Sequence, residues 1–143
     1  MRSARRRLVL DSGAAGALRS ERPGDRRRAA VLAAIAAADG GVAVPTSVRV
    51  EVGWDRRDPR WAGANRLVRD DDALDRAAGD VAAALQARLE RGIADAHVVA
   101  TALRSDADVV EVLTSDPDDV GALLARVGGG SSGAGPVVEV HRV

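Results

Sequence analysis

The stretch from Ile93 to Val120, IADAHVVATALRSDADVVEVLTSDPDDV, constrains this 143-residue chain more than any other. Ala94 to Leu103 is apolar on nearly every side, interrupted by Asp95, His97 and Thr101. A helix that is apolar all round belongs inside a protein. Val109, Val110, Val112 and Leu113 then form a β-branched run of strand length, as expected of a strand covered on both faces. The run stops at Thr114-Ser115-Asp116-Pro117-Asp118-Asp119. One acid opens a buried helix, and a cluster of acids closes a buried strand. Ligand sites of open α/β sheets lie outside the carboxyl ends of the strands. Each acid also has a purely structural reading. Asp95 can complement a helix macrodipole, and Asp116 can cap a helix whose first residue is Pro117.

The remaining apolar runs extend the same rhythm. Leu8-Val9-Leu10 is a short, central strand that ends at Asp11. Ser12 to Leu18 reads as a short helix leading into the Arg22-Pro23-Gly24 turn. Asp25 can cap a helix to about Ala38, with Val31, Leu32 and Ile35 at helical spacing. Val42 to Pro45 is a second strand. Val48 to Val52 alternates strictly, which by itself predicts a strand, although Thr46 or Ser47 could cap a helix there. Trp54 and Trp61 read as packing anchors. Leu67-Val68 reads as a brief third strand, and Asp72 to Leu89 as a helix with Leu74, Ala77, Val81, Leu85 and Leu89 on one face. Val120 to Val127 is a last helix, and Pro136 to Val140 a final edge strand. Residues 1–6 and the Gly/Ser-rich 128–135 are expected to be flexible. Strands alternating with helices predict a single domain, 1–143, built on a parallel α/β sheet with helices on both faces.

Composition removes several chemistries. The chain has no Cys, so disulfides, thiolate nucleophiles and Cys-type zinc sites are excluded. It has no Lys, which excludes a P-loop and a Lys Schiff base. Two histidines, His97 and His141, are too few for a histidine-rich metal site. Oxygen-ligand chemistry remains, with 21 Asp and Glu. Formal net charge is zero, so no global field draws the chain to nucleic acid. The charge is clustered, however, at Arg5–Arg7, Arg26–Arg28 and Arg56-Arg57 against Asp70–Asp72 and the Asp116 group. Such arginines serve as solvated faces or as phosphate contacts. The apolar run after Arg5–Arg7 is too short for a signal peptide, and no stretch approaches transmembrane length, so the chain is read as cytoplasmic.

Four acids fall at equivalent places in this rhythm. Asp11 ends the first strand and Glu51 follows the second. Asp95 opens the buried helix, and Asp116 ends the fourth strand, with Asp119 three residues on. In a parallel sheet these places converge at one edge. Converging carboxylates repel unless a cation intervenes or one is protonated, so raised pKa values are expected among them without metal. Mg²⁺ or Mn²⁺ is the natural partner, and one or two such ions can activate water and hold both oxygens of an in-line phosphodiester displacement.

The segments LVLDSGA at 8–14, GDRR at 24–27, VPTSVRVEV at 44–52, ADAHVVATALR at 94–104 and LTSDPDD at 113–119 together resemble the PIN-domain ribonucleases, in particular the VapC-type toxins of bacterial toxin–antitoxin pairs. The resemblance spans almost the whole chain in family order and spacing. It implies a PIN-like parallel sheet flanked by helices. It also implies a metal-dependent endoribonuclease with Asp11, Glu51, Asp95 and Asp116 as catalytic acids. The same four, with Asp119, would hold Mg²⁺ or Mn²⁺. Further implications are an RNA substrate, a cognate antitoxin that covers the site, and a homodimer. The resemblance places Glu51 on a helix, against the alternation around it. His97 and Thr101, one turn apart, are assigned to packing or a local hydrogen bond. Two other readings compete. A receiver domain or haloacid-dehalogenase-type phosphatase would also use an Asp after the first strand, but usually needs a Lys, and the phosphatase needs a second Asp where this chain has Gly13. A catalytically inactive PIN-like binding module would keep the fold without the reaction.

Overall fold

A computed structural model of the chain describes residues 3–89, 92–127 and 135–143. Five strands form one parallel sheet: β1 (Arg6–Leu10), β2 (Val42–Pro45), β3 (Asp70–Asp72), β4 (Val109–Thr114) and β5 (Val137–Arg142). The spatial order is β3-β2-β1-β4-β5, with every neighbouring pair parallel. The chain therefore starts at the centre, builds outward on one side to β3, then crosses back to build β4 and β5 on the other. The strand order reverses between β1 and β4, and their register runs Leu8↔Glu111 and Leu10↔Leu113. That reversal is the place where open sheets form a crevice.

Seven α-helices connect the strands: α1 (Ser12–Ala17), α2 (Arg26–Ala37), α3 (Thr46–Val52), α4 (Ala62–Leu67), α5 (Arg76–Leu89), α6 (Ile93–Leu103) and α7 (Pro117–Val127). As the apolar pattern predicts, α6 is the central one. Ala96, Val98, Val99, Ala100 and Ala102 are all fully buried, against β1, β2 and β4. α5 and α7 pack beside α6, while α1 and α2 pack together on the opposite side of the sheet. Leu8, Val9, Leu10, Val44, Val110 and Val112 fill the space between the layers. Each fully buried Val or Leu contributes about 1.5–3 kcal/mol of transfer free energy, which is how a core with almost no aromatics can suffice. None of the described helices is long and apolar enough to cross a membrane.

Trp54 and Trp61 are buried and stacked on each other, with ring centroids 5.1 Å apart and planes 9° from parallel. Trp54 Nε1 donates to Asn65 Oδ1, and Trp61 Nε1 donates to the Gly53 carbonyl. This stack replaces secondary structure as the organiser of the 53–68 segment, and it satisfies the packing role rather than base stacking.

Two expectations need correction. Leu67 and Val68 are not a strand. Leu67 ends α4, and Val68 closes it by donating its N–H to the Ala64 carbonyl. The third strand is the acidic triplet Asp70–Asp72. Aspartate is a poor strand former, and this strand is held by its side chains. Asp70 pairs with Arg7, Asp71 with Arg49 and Arg56, and Asp72 accepts from Thr101 on α6. Second, the helix expected from Asp72 begins at Arg76, capped by Asp75, whose carboxylate accepts from Ala78 N. The basic run is hydrogen-bonded to other segments from Arg5 onward. Arg5 N donates to Asp108, Arg6 N to Asp39, and Arg6 belongs to β1. The Gly/Ser stretch lies outside the described residues up to Gly135, as do residues 1–2.

Candidate functional site

Asp11 leaves the carboxyl end of β1 as the N-cap of α1. Its Oδ1 accepts from Ala14 N at 2.8 Å and its Oδ2 accepts from Ser115 N at 3.1 Å, so one carboxylate ties β1, α1 and the segment after β4 together. The side chain is almost fully buried, at 5% exposure. Gly13 permits this arrangement. A Cβ there would collide with the Ser115 side chain and drive the Ser115 N–H away from Asp11. Sequence reasoning located Asp11 but had no signal for the Ser115 contact, which joins residues 104 apart in the chain.

Glu51 lies on α3, so the alternation of Val48–Val52 is not a strand. The helix starts directly after β2, and Pro45 at its N-cap supplies no side-chain cap, contrary to the role offered to Thr46 or Ser47. It ends at Gly53 in the left-handed conformation, φ 69°, where glycine is favoured. α3 packs on α1 and α6, which carries the exposed Glu51 towards the helices that bear Asp11 and Asp95.

Asp95 sits half-buried in the first turn of α6. Its carboxyl is pushed above the ordinary carboxylate value, first by burial and then by the negative charges of Glu51, Asp11, Asp119 and Asp116. Four of the five acids singled out in the sequence therefore act on the fifth. Asp116 caps α7, with Asp119 N donating to its Oδ1, and Pro117 is the first helical residue. The capping role of Asp116 and its charge on Asp95 coexist. Thr114 fixes this turn by accepting from Asp116 N at 2.9 Å.

The acids converge in charge without forming a ready-made coordination shell. No three of them bring ligand atoms within 4.8 Å of one another, and among the described residues only Glu111, Glu139 and His141 do so. That trio lies on β4 and β5, where Glu111 and Glu139 are register partners. Arg6 Nη1 already bridges its two carboxylates at 2.6 and 3.2 Å, and His141 approaches Glu139 at 3.5 Å. A guanidinium occupies the place a cation would take, so the trio is an ion-pair network. Around Asp95, by contrast, the excess charge is negative, and every donor is a carboxylate oxygen. Such a donor set suits a hard divalent cation.

His97 and Thr101 stand next to this site and face the acidic strand. His97 is fully buried. Its Nδ1 lies 2.9 Å from Ser47 Oγ on α3, and its Nε2 lies 3.5 Å from Asp72. Burial depresses its pKa below the usual imidazole value, against the opposing pull of Asp72. The single hydroxyl proton of Thr101 is shared between Asp72 Oδ2, at 2.5 Å, and the His97 carbonyl, at 2.9 Å. These contacts are local hydrogen bonds that join α3, α6 and β3.

The sequence matches no family model and no curated protein. Among solved structures it is similar to a chain from the crystal structure of VapBC2 from Rickettsia felis bound to a DNA fragment from their promoter. The TM-score is 0.52 and the identity 11%, covering 94% of this chain and 98% of that one. At that identity the likeness concerns the backbone, and it extends through the elements that carry the five acids. The chain has a PIN-like α/β fold, a five-stranded parallel sheet with an acidic cluster at the carboxyl edge of its central strands.

Proposed function

We propose that this protein is a metal-dependent endoribonuclease of the VapC toxin type, restrained by a cognate antitoxin. The observation that carries the reading is geometric: Asp11 at the carboxyl end of β1 bonds Ser115 N, next to Asp116 at the end of β4, and Asp95 lies half-buried in the first turn of α6, its carboxyl raised by burial and by Glu51, Asp11, Asp119 and Asp116. Like charges gathered at a sheet crevice cost stability, and proteins keep such strain where chemistry uses it. The fold shared with a chain of VapBC2 supports the toxin assignment.

In this reading Asp11, Glu51, Asp95, Asp116 and Asp119 would hold Mg²⁺ or Mn²⁺. A divalent ion bound there supplies water activation and neutralises charge on the phosphate. The protein's own part is placement. Asp11 is pre-oriented by the N–H groups of Ala14 and Ser115, so its carboxylate does not have to be ordered during the reaction. Asp95, raised by burial and by its acidic neighbours, would be relieved when positive charge enters the cluster. Hydrolysis forms a bond from a water oxygen to phosphorus and breaks the bond from phosphorus to a ribose oxygen, which leaves with a proton. The test is cleavage of total RNA by purified protein with Mg²⁺, with Mn²⁺ and with chelator, alongside Asp95→Asn. Cleavage that needs the metal and disappears in Asp95→Asn is the expected result. A folded parent that cleaves no RNA with either metal would refute the reading and favour an inactive binding module.

A further inference from the structure

We infer that the groove between α1 and the start of α2 is the path along which single-stranded RNA leaves the acidic site, its phosphates held by Arg22, Arg26 and Arg27. This rests on the nuclease reading for its polymer but not for its observations. The groove encloses about 650 Å³. Its lining includes Ser12 and Gly13, the two residues after Asp11, together with Gly16, Ser20 and Asp25. Arg22, Arg26 and Arg27 line the same groove.

The charges there are available. Arg22, Arg26 and Arg27 are exposed, and Arg26 and Arg27 make no ion pair among the described residues. Asp25 lines the groove too: its carboxylate accepts from Arg28 N and from Ser20 Oγ, and its charge acts on Arg22, which leaves Arg26 and Arg27 as the uncompensated pair. Not every exposed arginine is free in this way. Arg57 and Arg60 fold back onto Asp55 and Asp58 two residues away. The position is also costly to the protein. Three consecutive arginines occupy the first turn of α2, which has no acid, although helix N-termini disfavour cations. A bound polyanion would relieve that cost.

The floor is open by sequence. Gly16 lies inside α1, where glycine is disfavoured. Its absent side chain answers no packing need, because a Cβ would meet only Val52 Cγ1 at 4.0 Å. A phosphodiester chain seated over five carboxylates must find positive charge beyond them. This groove is lined by the residues next to Asp11 and by three arginines.

The experiment is fluorescence anisotropy of a labelled mixed-sequence single-stranded RNA in chelator, titrated with parent protein, with Arg22→Gln/Arg26→Gln/Arg27→Gln, and with Arg57→Gln/Arg60→Gln as a control. Circular dichroism confirms that each is folded. The groove variant should bind about tenfold more weakly, and the slope of log affinity against log salt should fall by about 2. The control should bind like the parent. A parent that binds no RNA, or a groove variant that binds it as the parent does, overturns the proposal. So does a groove variant that loses only antitoxin binding, which would make the groove a protein-docking site. If the parent binds RNA through these arginines but cleaves none with Mg²⁺ or Mn²⁺, the groove stands and the nuclease reading fails.

Discussion

Replacing Asp11 and Asp95 separately by Asn makes the same chemical change with opposite expected effects on stability. Both substitutions remove one negative charge from the cluster. At Asp95 the structure gives little against the change, since its carboxyl is held up by burial and by four like charges. Asp95→Asn should melt above the parent in chelator at neutral pH. The sign follows from the proton balance. A carboxyl raised in the folded state costs stability as pH rises from its unfolded value of 3.8 through its folded value, and the cost stays at higher pH. The advantage of Asp95→Asn should therefore shrink on acidification and vanish below pH 3.8. At Asp11 both oxygens accept from backbone N–H groups. Asn keeps the cap to Ala14 N but turns an amide NH₂ towards Ser115 N–H. A buried donor left without an acceptor costs about 1–3 kcal/mol. At about 2–4 °C per kcal/mol for a chain this size, a 2 kcal/mol loss lowers the melting temperature by ~4–8 °C. Relief of like-charge repulsion at Asp11 opposes this, but the lost hydrogen bond is the larger effect in a site this buried. Both variants should lose metal-dependent cleavage by orders of magnitude. The assay is thermal melting from pH 4 to 8 in chelator, followed by RNA cleavage with Mg²⁺. If Asp11→Asn melts higher than the parent, or Asp95→Asn lower, the assignment of electrostatic cost to Asp95 and of structural tethering to Asp11 is wrong.

Other expectations can be checked alongside. His97→Gln should leave cleavage within about tenfold of the parent, since the imidazole contacts Ser47 and Asp72 and not the acids; a loss as deep as that of Asp95→Asn would reassign it. Because burial depresses the His97 pKa, the unfolded chain takes up a proton that the folded chain resists, so stability falls as pH drops below 6.5. His97→Gln should flatten that slope in the melting curves, and an unchanged slope would refute the cause. Trp61→Ala should cost about 3–5 kcal/mol, a large part of a typical domain's stability, because Trp61 is 1% exposed and stacked on Trp54; an unchanged denaturant midpoint would refute the packing role. Finally, light scattering should give a homodimer, and a mass near 14.8 kDa at micromolar protein would count against it.

The central elements were legible because their burial is written in their composition. The all-round apolar α6 and the β-branched β4 have no stable place except inside the sheet, and once they are placed, Asp95 and Asp116 follow. Asp11 was legible for the same reason, as the first polar residue after an apolar run. Glu51 was not. Val48-Arg49-Val50-Glu51-Val52 alternates like a strand, but β2 has already turned out of the sheet at Pro45, and α3 buries Val48 while leaving Val50 82% exposed. Local pattern lost to tertiary packing there, and only the family resemblance put Glu51 on a helix. The third strand was hidden because ion pairs, not propensity, make it. The partnership of Asp11 with Ser115 and the groove lined by Arg22, Arg26 and Arg27 depend on where distant segments meet, which no periodicity records.

That acidic strand also decides how the sheet meets its own copies. Any open sheet has two outer strands whose unpaired backbone groups can recruit another chain. At one end stands β3, three residues long and wholly aspartate, its side chains tied by arginines and by α6. A second molecule approaching there would set acid against acid over a strand too short to zip. At the other end β5 runs for six residues and leaves Val137 62% exposed. Edge-to-edge aggregation of this protein, under conditions that loosen it, is therefore directional. It begins at β5, and a charged residue in place of Val137 should slow it more than any change at β3.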